Sequence, residues 1–169
     1  CALPWVNATP REYIHFAEVV HRRENLSWGL DAGVEEGTIV FGPMSYRKAQ
    51  MESARLISVT NSLIKLGNLP GKQGHGFISG YLLIAGDDWV ISIIHGHHRI
   101  AALAAIGYSS TTILIGTGRD PWPQFAVRRS EAASWPNVTN GVFSVQQALD
   151  VFDRAFEGKQ PPAATPFLN

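Results

Sequence analysis

Residues 81–107 constrain this chain more than any other stretch. Two apolar runs, residues 81–85 and 89–94, flank Gly86-Asp87-Asp88. Short apolar runs around a glycine-aspartate turn predict a β-hairpin. The second run leads straight into His95-Gly96-His97-His98-Arg99, which is followed by the small apolar run 100–106 and by Gly107. That run predicts a helix stopped by glycine. A hairpin, a polar turn and a buried helix in this order must pack helix against sheet, which points to an α+β domain.

The flanks extend the pattern. Residues 38–41, Thr-Ile-Val-Phe between Gly37 and Gly42-Pro43, predict a strand. Ser45 is placed to cap a helix in which Ala49, Leu56, Ile57, Leu63 and Ile64 recur at helical spacing, with Gly67 as its stop. Lys48, Glu52 and Arg55 lie on its other face, spaced to pair with one another. Residues 111–115 are β-branched and apolar and predict a further strand. The order over residues 38–116 is therefore β-α-β-β-α-β. Outside it, Thr9-Pro10-Arg11-Glu12 and Ser144-Val145-Gln146-Gln147 are capping boxes that open an N-terminal and a C-terminal helix. Residues 125–127 predict a short strand presenting Arg128 and Arg129. The expected segments are an N-terminal helical extension (1–37), the core (38–116), a C-terminal extension (117–158) and a loose tail (159–169).

The His95–Arg99 segment carries the chemistry. A helix N-terminus offers unpaired N–H groups and the positive end of the helix dipole, so it attracts anions. Gly96 allows close backbone approach, Arg99 supplies a planar fork for phosphate oxygens, and His97 and His98 can hold or move protons near neutral pH. A phosphate or other oxyanion site is the first reading. Two others stand beside it. His95 with His97 or His98 can bind a metal, although no Asp or Glu lies within the motif, or the histidines can simply cap the helix. Glu52 is a candidate base facing the same site, or an ion-pair partner of Lys48 or Arg55. Lys72 and His75 sit in the glycine-rich stretch 71–76, placed either to cover a bound anion or to be solvated. Trp122 and Trp135, next to prolines, read as packing anchors.

Composition narrows the function classes. The 169 residues include 14 basic and 14 acidic side chains, and the chain is 45% hydrophobic and 17% charged. A balance of zero argues against a large polyanionic partner such as nucleic acid, but not against one nucleotide. A single cysteine, Cys1, excludes an intrachain disulfide framework. A start at Cys1 is expected for an excised domain, with a lipid-modified cysteine as the alternative. No apolar run reaches the roughly 18 residues of a membrane span, and a cytoplasmic location is the expectation. The N-x-S/T triplets at Asn7, Asn25 and Asn137 carry little weight in the absence of a secretory signal.

The run Trp89-Val90-Ile91-Ser92-Ile93-Ile94-His95-Gly96-His97-His98-Arg99-Ile100-Ala101-Ala102-Leu103 resembles the signature of the ParB/sulfiredoxin superfamily, in which a strand enters G-x-[RH]-R, a helix, a glycine and a strand. The resemblance covers residues 38–116, including the helix before Gly67-Asn68-Leu69-Pro70. It implies a ParB/sulfiredoxin-like core with flanking helices and a nucleotide whose phosphates lie over Gly96, His97, His98 and Arg99. Sulfiredoxins carry their catalytic cysteine where this chain has His97, so sulfinic-acid reduction is not expected. Partition proteins carry G-E-R-R, from which His97 and His98 depart. The free-serine-kinase-like branch matches at His98 and Arg99 but has an acidic residue where this chain has His95, a change that removes a magnesium contact or base.

The expectation is a domain binding the phosphates of ATP or CTP with Mg2+, acting as an ATP-dependent kinase or phosphotransferase on a small-molecule acceptor. His95, His98 and Glu52 are the catalytic candidates, and Gly96, His97, His98, Arg99, Lys72 and His75 the nucleotide-binding ones. The alternative is a non-catalytic nucleotide-sensing module of a larger protein, and a DNA-binding or nuclease module ranks below both. Oligomerisation is left open.

Overall fold

The computed structural model describes residues 3–7, 46–71, 76–116 and 125–159, apart from the Lys48 side chain. The expected helix from Thr9, the strand at 38–41, the Ser45 cap, Lys72, His75, Trp122 and the tail beyond 159 lie outside the described residues.

Helix α1 (Tyr46–Leu66) ends where expected. Gly67 takes φ 75°, and its N–H donates to the Leu63 carbonyl at 2.9 Å. Its burial is narrower than its periodicity suggests. Leu63 is buried and Val59 packs beside it, whereas Ile57 and Ile64 are 61% and 67% exposed. Angle around the helix explains the difference. The helix packed against α1 is α2 (His97–Ala105). Glu52, Val59 and Leu63 share the side of α1 that meets it, whereas Ile57 and Ile64 lie roughly 100 to 160° round from Val59 and Leu63.

The hairpin forms with longer arms than its apolar runs, β1 (Ile78–Ala85) and β2 (Asp88–His95). The turn is two residues, Gly86-Asp87, with Asp88 already paired to Ala85. Near the other end of the hairpin the register slips. Gly80 faces Ile93 but Ser79 faces His95, which leaves Ile94 as an extra residue in β2. Such a bulge re-aims the strand end. Gly80 accommodates it, since a Cβ there would lie 2.5 Å from the Ser92 carbonyl oxygen. β1 is central. Its other edge pairs in parallel with β3 (Ile113–Ile115) near Ile78 and with β4 (Ala126–Arg128) near Leu83. The expected strand at 111–115 shortens at its start, and just before it Thr111 Oγ1 accepts a hydrogen bond from Asn68 Nδ2 at 2.8 Å. The result is a mixed α+β fold around a small mixed sheet.

The alternation of β1 divides the core in two. Leu83 enters an aromatic cluster with Trp5, Val127, Ala132, Trp135, Ala148 and Phe152. Ile78 enters an aliphatic cluster with Leu63, Ala102 and Leu103. The aromatic cluster is closed by a 3-10 turn (Arg129–Ser134), a short helix α3 (Pro136–Thr139) and α4 (Val145–Phe156). The predicted capping box opens α4. The Gln147 N–H donates to Ser144 Oγ, and the Ser144 N–H donates to Gln147 Oε1. Trp135 is the packing anchor expected, stacked on Phe152 at 5.7 Å. Asn137, met in the sequence as an N-x-T triplet, is buried, and its Nδ2 donates to the Leu3 and Val6 carbonyls, tying the N-terminal residues to α3. Among the described residues no helix is long and apolar enough to cross a membrane.

Candidate functional site

The turn between β2 and α2 is tighter than a loop. His95 closes β2, Gly96 alone bridges, and His97, His98 and Arg99 form the first turn of α2 itself. The sequence placed the helix from Ile100. It starts three residues earlier because Gly96 adopts φ 89°, ψ 24° and swings the chain directly into helical geometry, with the Ile100 N–H donating to the Gly96 carbonyl at 2.9 Å. Only glycine suits this position. The positive φ disfavours a side chain, and a Cβ would sit 3.1 Å from both Cα and Cγ1 of Ile78. Gly96 has no side chain with which to cap α2, and the first-turn N–H groups point out of the helix end.

Two of the expected catalytic residues meet. His98 Nε2 lies 3.1 Å from Glu52 Oε2, linking the start of α2 to α1. Both side chains are half-buried. The two side chains are within ion-pair distance, and an imidazole can hold or release a proton at either ring nitrogen. Glu52 thus takes a partner across helices, beyond the Lys48 and Arg55 spacing read along its own helix.

The other polar residues of the turn diverge. His97 Nε2 lies 3.2 Å from the Ile93 carbonyl oxygen, and since that oxygen accepts, Nε2 is the donor. Arg99 donates through Nη1 to the Gly76 carbonyl, so its fork also fastens the backbone that follows Lys72 and His75 to the helix. His95 stands exposed, opposite buried Ser79. His97 and His98, one residue apart on a helix, thus serve opposite faces of the sheet. His97 turns toward β2 and Tyr81, and His98 toward α1. Among the described residues no three His, Cys, Asp or Glu side chains gather as metal ligands.

Arg129, which follows β4, pairs with α4. Its Nε and Nη2 donate to the two Asp153 carboxylate oxygens at 2.7 and 2.8 Å. This bidentate hydrogen bonding holds the Asp153 carboxyl below its ordinary range and raises the Arg129 guanidinium, against a small opposing effect of burial. Arg128 remains exposed at the end of β4.

Several site features left no mark in the sequence. The Ile93 and Gly76 carbonyls are backbone groups, and the bulge at Ile94 arises from pairing. The one available signal was Gly80, a glycine in an otherwise apolar strand. No protein-family model, curated protein or solved structure matches this chain.

Proposed function

We propose that this is a nucleotide phosphate-binding domain of the ParB/sulfiredoxin-like type that transfers a phosphoryl group from ATP to a small-molecule acceptor. The observation that carries this reading is the Glu52–His98 pair at the uncapped start of α2. A phosphoryl transferase needs electrostatic stabilisation of the phosphates and a base for the acceptor hydroxyl. The N–H groups of His97, His98 and Arg99 supply the first, helped by the dipole of a nine-residue helix. His98, beside Glu52, supplies the second through its imidazole. The described element order helix, strand, strand, helix, strand over 46–116 supports the family resemblance.

Magnesium fits only as a companion of the nucleotide. No described acidic cluster provides a cage, and Glu52 faces His98. Magnesium characteristically retains water and bridges substrate phosphates with few protein ligands. Bound there, it would neutralise charge on those phosphates.

A second reading has its own support. His97 and Arg99 both bond to backbone carbonyls, which suits a turn built for rigidity and a module that senses nucleotide without turning it over. Calorimetric titration with ATP, CTP and ADP in the presence of Mg2+, followed by a phosphate-release assay, separates the two. Binding with turnover that His98→Ala abolishes supports the transferase. Binding without turnover supports the sensor. Absence of binding by all three nucleotides overturns both.

A further inference from the structure

On the aromatic side of the sheet, beside the same turn, lies a cavity of about 270 Å3. Leu3, Val6 and Ile94 are among its apolar lining residues, and Tyr81, Ser92 and His97 are the lining residues that carry polar groups. We infer that this cavity binds a small alcohol with an apolar body. Three features support this. First, an apolar cavity of roughly 150 Å3 already takes benzene, so this one has room for a substituted ring. Second, it is held open by built elements. Leu3 and Val6 are fixed through their carbonyls by Asn137, and Ile94 is the bulged residue of β2. Third, His97 is tethered through Nε2 to Ile93, which commits that nitrogen as a donor and leaves Nδ1 as an acceptor. An acceptor at the edge of an apolar cavity selects a ligand with a hydroxyl to donate. This binding stands apart from the function proposed above, whose base, His98, turns to the opposite face of the sheet.

The test is an amide chemical-shift titration of the full chain with benzyl alcohol and with toluene, which has the same ring but no donor. Benzyl alcohol is expected to shift the amides of Tyr81, Ser92, Ile94 and His97 and to bind about fivefold tighter than toluene, the ratio a net hydrogen bond adds. Val6→Phe, which fills the cavity, is expected to lose both ligands, and His97→Phe to bind the two alike. Ile94→Phe serves as a second filling variant should Val6→Phe fail to fold. Shifts centred elsewhere, equal wild-type affinity for the two ligands, or undiminished binding to a folded filled variant overturns the inference. Stabilisation by ATP in a filled variant that no longer binds benzyl alcohol separates the fate of the cavity from that of the phosphate site.

Discussion

The two sides of the β-sheet are built on different scales. On one, Trp5, Trp135 and Phe152 interlock with ring centroids 5.4 to 6.0 Å apart, closed by a double capping bond and by buried Asn137. On the other, four buried aliphatic residues join α1 and α2, and much of α1 stays exposed. The Glu52–His98 pair sits on the thinner side. Aromatic rings bury far more area per residue than alanine and leucine, so the aromatic side anchors the fold. The aliphatic side can shift at smaller cost, as regions that admit a ligand generally must.

The largest effect should come from the anchor. Phe152→Ala, at a fully buried ring, is expected to cost about 4 kcal/mol in denaturant unfolding. Leu103→Ala on the site side should cost about 3 kcal/mol. The reverse order would break the comparison. Gly96→Ala sharpens it by straining only the turn. A positive φ and contact with Ile78 should cost about 2 kcal/mol, and nucleotide binding should weaken with it. An unchanged melting temperature would show that the turn relaxes freely. Ser144→Ala removes one half of the capping box and should cost about 1 kcal/mol. The smallest effect is the pH dependence of Asp153. Because Arg129 lowers its folded-state pKa, its stabilisation is fully present above the ordinary carboxylate value of 3.8 and is lost as pH falls through the folded value. The pair is exposed, so the acid-side drop in melting temperature should be slight, and slighter still in Arg129→Gln. An equal acid-side drop in both proteins would remove the pair from the account.

Local signals read well from the sequence wherever one residue dictates the backbone. The Ser144 capping box, the Gly67 stop and the Gly86 turn all fall where the residues place them. Partnerships set by packing were less legible. Glu52 reads in the sequence as a base facing the His95–Arg99 turn or as an ion-pair partner of Lys48 or Arg55, and only the packing of α1 on α2 makes His98 its partner. Ile57 and Ile64 keep helical spacing with one another yet stay exposed, because they lie on a side of α1 away from the Val59 and Leu63 face that meets α2. Asn137 carried little weight as an N-x-T triplet and is a core tie.

Thermal unfolding of the wild type and of Arg99→Ala over a titration with ATP and Mg2+ reads out whether the first turn of α2 binds nucleotide phosphates. The account predicts a melting temperature that climbs with ATP in the wild type, by the equivalent of about 2.7 kcal/mol at a hundredfold excess over Kd, and a markedly smaller climb in Arg99→Ala. A wild-type melting temperature that stays flat with ATP, and equally with CTP and ADP, would contradict it.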